Sequence, residues 1–391
     1  MDKVDELLTR TVDDILTRGV EQVLPNKEGL EKLMASKKIR VYLGVDPTGT
    51  RLHLGHTIPL RKLQEFADLG HEAILLIGTG TVLAGDPSQR KTAREKITQE
   101  EIDENIKTWK EQVSKVIDFD KVQIKKNGEW LLKLGLAEIL NIASNLSATQ
   151  LIKRDMFQDR LNKGDTVWFH EVMYPMLQGY DSVAMDVDLE IGGTDQTFNM
   201  LVGRELQKKM NNREKFVLKT PLISGTDGQP MSKSSGNCIW VDDSPQDMFG
   251  KVMSMADNQM PQYWENLTNL DPKELEDLKP IDAKKKLARE IVKTYHPEEA
   301  TYKAQQEFEG LFQKGTSSAS MPIIKIKEAS VELVDFLVDN NLAPSKSEAK
   351  RLIKEGAIEV DGQTFENDEF EFANNQVLRV GQKKFVRIEI E

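Results

Sequence analysis

A short motif with two histidines is the part of this sequence best suited to phosphate chemistry. Residues 53–56 read HLGH and begin the helix predicted at 54–69, which follows a strand predicted at 40–45. A helix N-terminus offers unpaired N–H groups and partial positive charge to a phosphate, and Gly55 would let a nucleotide approach the backbone closely. The imidazoles can stabilise charge that develops as a phosphoryl bond breaks. An ordinary helix start with two half-buried histidines is the alternative, and the isolated motif does not decide between them.

A lysine in a polar loop is the second candidate. Residues 224–237 are rich in Gly, Ser, Pro and Asp, and this composition is typical of a mobile loop. Lys233 lies there between Ser232 and Ser234, after Met231. An ammonium flanked by small hydroxyl residues can swing onto a polyphosphate and neutralise its charge without a fixed fork geometry. A solvated surface loop would be the better interpretation of this segment alone, but the upstream HLGH motif favours phosphate binding.

The elements that must position these residues read as a parallel sheet covered by helices. Apolar runs alternate with helical periodicity through the first two thirds of the chain, which indicates a doubly wound α/β fold. Ligands of such sheets bind in the crevice at the carboxyl ends of the strands. Strands are predicted at 40–45, 72–77, 122–124, 186–191 and 216–223, and helices at 54–69, 99–116, 130–143, 172–185 and 196–210.

The remaining third divides into a helical and a mixed region. Residues 244–312 are charged and mostly helical in pattern, and the small polar segment 313–321 is typical of a linker. The last stretch, 329–391, begins with two helical segments and ends in short alternating strands.

The two motifs, in this order, resemble the signature pair of class I aminoacyl-tRNA synthetases. Four further segments are similar to motifs of the tyrosyl-tRNA synthetases, especially the bacterial ones: YLGVD at 42–46, GDPS at 85–88, YPMLQGYD at 174–181 and GGTDQ at 192–196. The resemblance implies a Rossmann-like catalytic domain with an N-terminal helix and a dimer-forming insertion at 1–225. It further implies a helical anticodon-binding domain with the MSKS loop at 226–320, and a small α+β S4-like RNA-binding domain at 329–391.

The resemblance also implies a role for each site residue. The phenol hydroxyl of tyrosine would meet Tyr42 and Asp181, and its ammonium group would be held by Asp86, Tyr174 and Gln178. Gly193 and Asp195 would bind ribose, and Gln196 would orient the substrate. The residues implied around the rest of ATP and in catalysis are Asp46, Thr48, His53, Gly55, His56, Met231, Ser232, Lys233 and Ser234.

The spacing of three of these residues supports the assignment independently. Tyr174, Gln178 and Asp181 follow i, i+4, i+7 spacing and would share one face of a helix at 172–185. Polar side chains in an apolar wall suit a pocket with polar tips. A hydrogen-bonded structural cluster is the alternative, which we rate lower because a buried Asp181 would need its own partner.

The loop motif departs from the family pattern at one position. Pro230 stands where the common form has a lysine before Met-Ser-Lys-Ser, so Lys233 is the only lysine of the motif. Nearby cations could take over part of the phosphate binding, and Arg90, Lys91 and Arg94 are candidates. A solvated basic turn explains these three residues equally well.

The C-terminal stretch carries a basic stripe in an acidic protein. Lys346, Lys350, Arg351 and Lys354 lie largely on one face of a predicted helix, which suggests contacts to a phosphate backbone. Residues 333–362 resemble the S4-type domain at the tail of bacterial tyrosyl enzymes. Because glutamates dilute the stripe, a charged surface helix remains the alternative.

Composition and net charge argue against several classes of protein. The net charge of −11 argues against general coating of nucleic acid, and one cysteine excludes an internal disulfide and suits a reducing compartment. Residues 1–19 have helical spacing with acids between apolar residues, unlike a secretory signal, and no apolar stretch could span a membrane. We therefore expect a cytoplasmic protein without a structural metal, with ATP as substrate and Mg²⁺ accompanying it. By resemblance, the partners are tRNA(Tyr), L-tyrosine and a second copy in a homodimer.

Two other functions remain as alternatives. One is a tryptophanyl-type synthetase or another nucleotidyltransferase with an H-x-G-H site, but an indole offers a donor and no hydroxyl to pair with Tyr42 and Asp181. The other is a non-catalytic RNA-binding protein with a synthetase-like core, which the intact HLGH, MSKS and GGTDQ motifs disfavour.

Overall fold

The computed structural model describes most of the chain. The described residues are 11–88, 97–231, 236–313, 323–326, 329–340, 342–361, 363–365, 367, 369–374, 376–381 and 384–390. Their helices are α1 (Val12–Ile15), α2 (Lys27–Ser36), α3 (Leu54–Asp68), α4 (Thr81–Ala84), α5 (Gln99–Val113), α6 (Gly128–Leu131), α7 (Leu136–Ala143), α8 (Ala148–Ile152), α9 (Asp155–Asn162), α10 (Phe169–Met185), α11 (Thr197–Asn211), α12 (Pro245–Ser254), α13 (Met260–Leu267), α14 (Lys273–Glu276), α15 (Pro280–Tyr295), α16 (Glu298–Gln313), α17 (Leu333–Asp339) and α18 (Lys346–Lys354). Their strands are β1 (Gln22–Leu24), β2 (Arg40–Val45), β3 (Glu72–Ile77), β4 (Val122–Lys126), β5 (Leu189–Gly193), β6 (Phe216–Thr220), β7 (Ile323–Ile326), β8 (Ser330–Glu332), β9 (Ile358–Val360), β10 (Gln363–Thr364), β11 (Glu369–Glu371), β12 (Val377–Val380) and β13 (Lys384–Ile390).

The packing divides the chain into two compact units. The first runs up to Asp243 and includes Met255–Tyr295, and the second comprises Ser244–Ser254 and the chain from His296 onward. The border predicted at residue 225 falls inside the first unit, where the hydroxyl of Tyr263 donates to the carbonyl of Ser224 at 2.6 Å. The organisation into three domains therefore stays a prediction.

A six-stranded sheet in the order β1-β6-β5-β2-β3-β4 forms the centre of the first unit. The five strands from β6 to β4 are parallel, and only β1 at the edge is antiparallel to its neighbour. The strand that leads into HLGH, β2, is central, and its Tyr42 lies opposite Ile74 on one side and Glu190 on the other. The predicted α/β fold with a doubly wound parallel sheet is confirmed.

Two predicted elements differ from the structure. The single helix predicted at 130–143 is two helices, α6 and α7, because the chain leaves the helix after Leu131 and a new helix begins at the N-cap Gly135. The strand predicted from Asp186 begins only at Leu189, since Asp186 has a φ of 50° and ends helix α10 in the left-handed region.

The tail of the second unit combines two helices with strands, as the sequence predicts. Strands β10-β9-β12-β13-β7 form one sheet, and β11 pairs with β8. Helices α17 and α18 contribute buried residues such as Leu333, Leu337 and Ile353 to a core shared with Ile358 and Ile388. Across the described residues, no helix is long and apolar enough to span a membrane.

Candidate functional site

A cleft of about 380 Å³ opens in the first unit beside the carboxyl ends of β2, β3 and β5. Its lining includes every residue predicted for the substrate sites that the structure describes: Tyr42, Asp46, Thr48, His53, Gly55, His56, Asp86, Tyr174, Gln178, Asp181, Gly193, Asp195, Gln196 and Met231. The predicted residues Ser232, Lys233, Ser234, Arg90, Lys91 and Arg94 lie outside the described residues. The parallel sheet thus brings together residues that are up to about 190 positions apart in the chain, as ligand sites of such sheets require.

Asp181 is a buried carboxylate with a donor on each oxygen. Its Oδ1 accepts from the indole Nε1 of Trp130 at 2.8 Å, and its Oδ2 accepts from Nδ2 of Asn127 at 3.0 Å. Burial raises the pKa of Asp181 well above its ordinary value, while the two N–H donors oppose that shift by stabilising the ionised form. Asp181 therefore has protein partners of its own, so the need for a partner does not count against the alternative of a hydrogen-bonded structural cluster. A carboxylate has about four acceptor positions, so a further donor can still bind.

Tyr42 places a phenol hydroxyl in the same cleft. The residue is fully buried, and its hydroxyl lies 2.9 Å from Oγ of Ser182. Burial, and then the carboxylates of Glu190 and Asp181, raise the pKa of Tyr42 well above the ordinary value. The hydroxyl is therefore protonated at neutral pH and can donate a hydrogen bond.

Tyr174, one of the side chains predicted to bind the ammonium group, is hydrogen-bonded to Asp46. The hydroxyl of Tyr174 donates to Oδ2 of Asp46 at 3.0 Å. Oδ1 of the same carboxylate accepts from Thr81, whose hydroxyl in turn accepts from Asn127 at 3.0 Å. Since Asn127 also holds Asp181, one continuous chain of hydrogen bonds links Asp181 to Tyr174.

A second polar group lies where β5 ends. Nε2 of Gln196 donates to Oδ2 of Asp86 at 2.8 Å and to Oδ2 of Asp195 at 3.0 Å. Burial raises the pKa of Asp195, and the hydrogen bond from Gln196 opposes this shift. The GGTDQ and GDPS motifs are therefore in direct contact, although they are about 100 residues apart.

The HLGH motif begins helix α3 in the way that its sequence predicts. His53 is the N-cap, and its backbone N–H donates to Nδ1 of His56 at 3.2 Å. The two imidazoles stack with their centroids 3.7 Å apart. A Cβ on Gly55 would lie 3.0–3.1 Å from the ring of His53, so a side chain there would press on this stack. The glycine therefore keeps both imidazoles at the helix N-terminus.

Sequence reasoning missed several polar residues of the site. Asn127 and Trp130 hold Asp181, and Ser182 holds Tyr42, as described above. Glu190 is 2% exposed and forms part of the cleft wall. A charged residue inside the otherwise apolar strand β5 was the signal that could have revealed Glu190, since a buried charge needs a partner.

In the second unit, the predicted basic stripe lies on helix α18 and is exposed. Lys346 pairs with Asp335 at 2.5 Å, and Arg351 pairs with both Glu348 and Glu355. Lys350 and Lys354 complete the stripe on the exposed surface. The carboxylates thus neutralise part of the stripe, as the glutamates in the sequence suggested.

Comparison with known proteins places the chain in a family. Residues 34–313 match the family model of class I tRNA synthetases for tryptophan and tyrosine, and residues 312–388 match the tyrosine–tRNA ligase SYY-like C-terminal domain. Tyrosine–tRNA ligase 2 of Vibrio cholerae is 42% identical over 380 residues, covering 95% of this chain and 96% of that one. Tyrosine–tRNA ligase of Thermotoga maritima is 42% identical over 378 residues, covering 94% of each chain.

Solved structures show the same fold at low sequence identity. A C-terminally truncated mitochondrial tyrosyl-tRNA synthetase of Aspergillus nidulans has a TM-score of 0.66 at 21% identity, covering 79% of this chain and 96% of that one. The tyrosyl-tRNA synthetase of Archaeoglobus fulgidus, complexed with L-tyrosine, has a TM-score of 0.60 at 22% identity, covering 78% and 100%. With relatives this similar over nearly the whole chain, and with both family models matched in order, the chain belongs to the tyrosyl-tRNA synthetases of class I.

Proposed function

We propose that the cleft binds tyrosine and ATP together, forms tyrosyl-adenylate, and passes the tyrosyl group to tRNA(Tyr). The observation that carries this assignment of the cleft is the buried pair of Tyr42 and Asp181 in the same pocket as the HLGH residues. The pair is suited to an amino acid with a phenol, and the helix N-terminus is suited to a phosphate.

The phenol of tyrosine is proposed to lie between Tyr42 and Asp181. A phenol hydroxyl donates one hydrogen bond and accepts others. Asp181 provides an acceptor, and the protonated hydroxyl of Tyr42 provides a donor. Phenylalanine would leave both buried groups without a ligand partner, at a cost of roughly 1–3 kcal/mol for each unpaired group. An indole would satisfy only the acceptor, so the geometry favours tyrosine over tryptophan.

The ammonium group of the substrate is proposed to meet three acceptors. Gln178 lines the cleft, and its Oε1 accepts no hydrogen bond from the described residues. Tyr174 and Asp86 supply a hydroxyl oxygen and a carboxylate on the same wall. In this proposal Gln196 orients the substrate through its bond to Asp86.

The first step, formation of tyrosyl-adenylate, depends on positioning of the two substrates more than on acid–base catalysis. The α-carboxyl group of an amino acid has a pKa of roughly 3.3–3.7 and is ionised near neutrality, so it needs no general base. One carboxylate oxygen attacks the α-phosphorus of ATP in line, and the bond to the bridging oxygen of pyrophosphate breaks. Thr48, His53 and Lys233 are proposed to stabilise the charge on the leaving pyrophosphate, with His56 supporting the stack at the helix start.

The remaining nucleotide contacts follow the same proposal. Gly193 and Asp195 would hold the ribose, and Asp46, Gly55, Met231, Ser232 and Ser234 would surround the rest of ATP. Among the described residues, no group of three or more His, Cys, Asp or Glu side chains is arranged to hold a metal. We propose that Mg²⁺ accompanies ATP, since this ion is commonly bound through substrate phosphates and water.

In the second step, the terminal ribose hydroxyl of tRNA attacks the carbonyl of the mixed anhydride, and AMP leaves. We propose that Lys346, Lys350, Arg351 and Lys354 help to position the RNA through its phosphates, because all four are exposed on helix α18. The cytoplasm, where charged tRNA is consumed, is the proposed compartment.

A homodimer is proposed through an apolar surface of the first unit. Leu136 and Leu140, one turn apart on α7, are 73% and 60% exposed, and Phe169 at the start of α10 is 75% exposed. Large apolar side chains exposed together mark interaction sites. The indole of Trp130 donates to Asp181, so Trp130 is not assigned to this surface.

Asp181→Ala should raise the KM for tyrosine far more than the KM for ATP. The reason is that only the amino acid loses a charged hydrogen-bond partner, at about 1.5–3 kcal/mol or roughly ten- to a hundredfold. Tyr42→Phe should cost less, about 0.5–1.5 kcal/mol, because a neutral hydrogen bond is lost. Pyrophosphate exchange at varied tyrosine and ATP measures both constants. An equal rise of the two KM values in Asp181→Ala would defeat the assignment.

Lys233→Ala should slow adenylate formation by about tenfold or more and leave the dissociation constant of tyrosine nearly unchanged. Its ammonium is proposed to act on pyrophosphate in the transition state, and removal of such a contact lowers kcat. Lys208→Ala, on an exposed lysine of α11, is the matched control. Stopped-flow measurement of adenylate formation tests this. An unchanged rate in Lys233→Ala would transfer the role to Arg90, Lys91 or Arg94.

Replacing Lys350 and Lys354 together by alanine should raise the KM for tRNA and flatten its salt dependence. Each lost phosphate contact should lower by about one unit the slope of the logarithm of tRNA affinity against the logarithm of salt concentration. Tyrosine-dependent pyrophosphate exchange should not change, since the cleft is untouched. Lys303→Ala, on the exposed surface of α16, serves as the control. If the double variant charges tRNA with the wild-type KM and salt slope, the stripe on α18 is only a solvated helix face.

Leu136→Asp should shift the protein from dimer to monomer at micromolar concentration, because a charge would be buried in an apolar contact. Sedimentation velocity distinguishes the two species. Ile281→Asp places the same charge at another exposed apolar position, 53% exposed, and should leave the dimer intact. A wild-type protein that sediments as a monomer, or a Leu136→Asp variant that stays dimeric, would contradict the proposed surface.

A further inference from the structure

A lysine is buried behind the part of the cleft that is proposed to bind the amino acid. Lys215, the residue before β6, has no exposed surface. Its Nζ donates to Oγ of Ser182 at 2.8 Å and to Oε2 of Glu190. Both partners are also buried, at 0% and 2% exposure. Burial lowers the pKa of Lys215, and the Glu190 carboxylate opposes this shift by favouring the ammonium.

One branch of this group reaches Gln178. Oε1 of Glu190 accepts from Nε2 of Gln178 at 3.0 Å. An ionised carboxylate can only accept, so it fixes the NH₂ group of the amide toward Glu190. The amide oxygen of Gln178 is then left as a buried acceptor without a partner among the described residues. The salt bridge from Lys215 holds the Glu190 side chain in the position on which this orientation depends.

The other branch reaches Tyr42. An ammonium can only donate, so Oγ of Ser182 accepts from Lys215, and its own proton is available for the oxygen of Tyr42 at 2.9 Å. When the Tyr42 oxygen accepts from Ser182, the proton of Tyr42 is directed to the acceptors beside it, which are the Glu190 carboxylate and the phenol oxygen of a bound ligand. The ammonium of Lys215 also lies 5.9 Å from the centre of the Tyr42 ring.

The fold leaves space for this ammonium at a glycine of helix α11. A Cβ on Gly203 would lie 2.6 Å from Nζ of Lys215 and 2.9 Å from Oγ of Ser182. Any larger residue at 203 would displace one of these groups or both. The helix therefore passes close to α10 at the point where the lysine meets its two partners.

We propose that Lys215 is a positioning residue for amino-acid specificity, because it sets which groups donate and which accept at both polar ends of bound tyrosine. Through Glu190 it presents the Gln178 oxygen to the substrate ammonium. Through Ser182 it presents the Tyr42 proton to the phenol oxygen, while Asp181 accepts the phenol proton. The inference rests on the proposed roles of Gln178 and Tyr42, and it adds a determinant that touches neither substrate.

Stability alone is a weak reason to bury this ion pair. The cost of removing two charges from water can exceed their attraction, and well-packed apolar replacements of buried pairs are often neutral or stabilising. A role in selecting one hydrogen-bond arrangement explains the pair better. It also predicts effects on binding that are separate from effects on unfolding.

The test compares Lys215→Met and the double variant Lys215→Met/Glu190→Gln with wild type in the full-length protein. The single variant leaves Glu190 buried without its cation and can fail to fold, whereas the double variant removes both charges at nearly constant volume. We expect the double variant to raise the KM for tyrosine by about tenfold or more and to leave the KM for ATP within about twofold. The ratio of kcat/KM for tyrosine to kcat/KM for phenylalanine should fall. Gly203→Ala should act in the same direction. Pyrophosphate exchange with each amino acid, alongside thermal unfolding, provides the readouts.

Lys62→Met is the matched control. Lys62 is a lysine of the same unit that is only 3% exposed, and it donates to the carbonyls of Ile15 and Arg18 outside the cleft. It should lower the unfolding temperature without changing the KM for tyrosine or the selectivity. If the folded double variant changes only the unfolding temperature, as the control does, the inference is overturned. A wild-type protein without tyrosine-dependent exchange would overturn the proposed function, and the inference with it.

Discussion

The cleft depends on one constraint: a carboxylate buried in its wall must be held by donors that leave room for a ligand. Asp181 satisfies this requirement through the indole of Trp130 and the amide of Asn127. The amide also binds Thr81, which donates to Asp46, so the same interaction fixes the polar side chains next to HLGH. Without these donors the charge would be costly to bury, and the acceptor for a phenol would be lost. In the proposed roles of these residues, recognition of tyrosine and binding of the nucleotide share one hydrogen-bonded scaffold.

The parallel sheet makes that scaffold possible because it aligns the ends of strands that are distant in sequence. Strand β2 carries Tyr42 into the cleft, and β5 beside it carries Glu190 at the register position opposite Tyr42. Helix α10 then supplies Tyr174, Gln178 and Asp181 from one face. Tyr174 and Asp181 are buried and Gln178 is half-buried, and all three have defined hydrogen-bond partners, which preorganises the site for a substrate of matching polarity.

Much of this arrangement was predictable from sequence because local patterns encode it. Strands β2 and β3 have the predicted bounds, and the spacing of Tyr174, Gln178 and Asp181 predicted their shared wall. The donors to Asp181 were not predictable, because Asn127 and Trp130 lie 54 and 51 positions away in the chain and only tertiary packing brings them to it. Lys215 was missed for a similar reason. Its partners, Glu190 and Ser182, come from other elements, and only tertiary packing brings a lone lysine to them.

The most direct measurement of the central claim is pyrophosphate exchange by the full-length wild-type protein with tyrosine, phenylalanine and tryptophan in turn. We expect exchange that depends on tyrosine, with kcat/KM higher than for phenylalanine by at least about a hundredfold, since phenylalanine offers no hydrogen bond to Tyr42 or Asp181. Tryptophan should support little exchange, because its N–H leaves the donor of Tyr42 unmatched. Comparable exchange with tyrosine and phenylalanine, or a preference for tryptophan, would contradict recognition of the phenol by Tyr42 and Asp181.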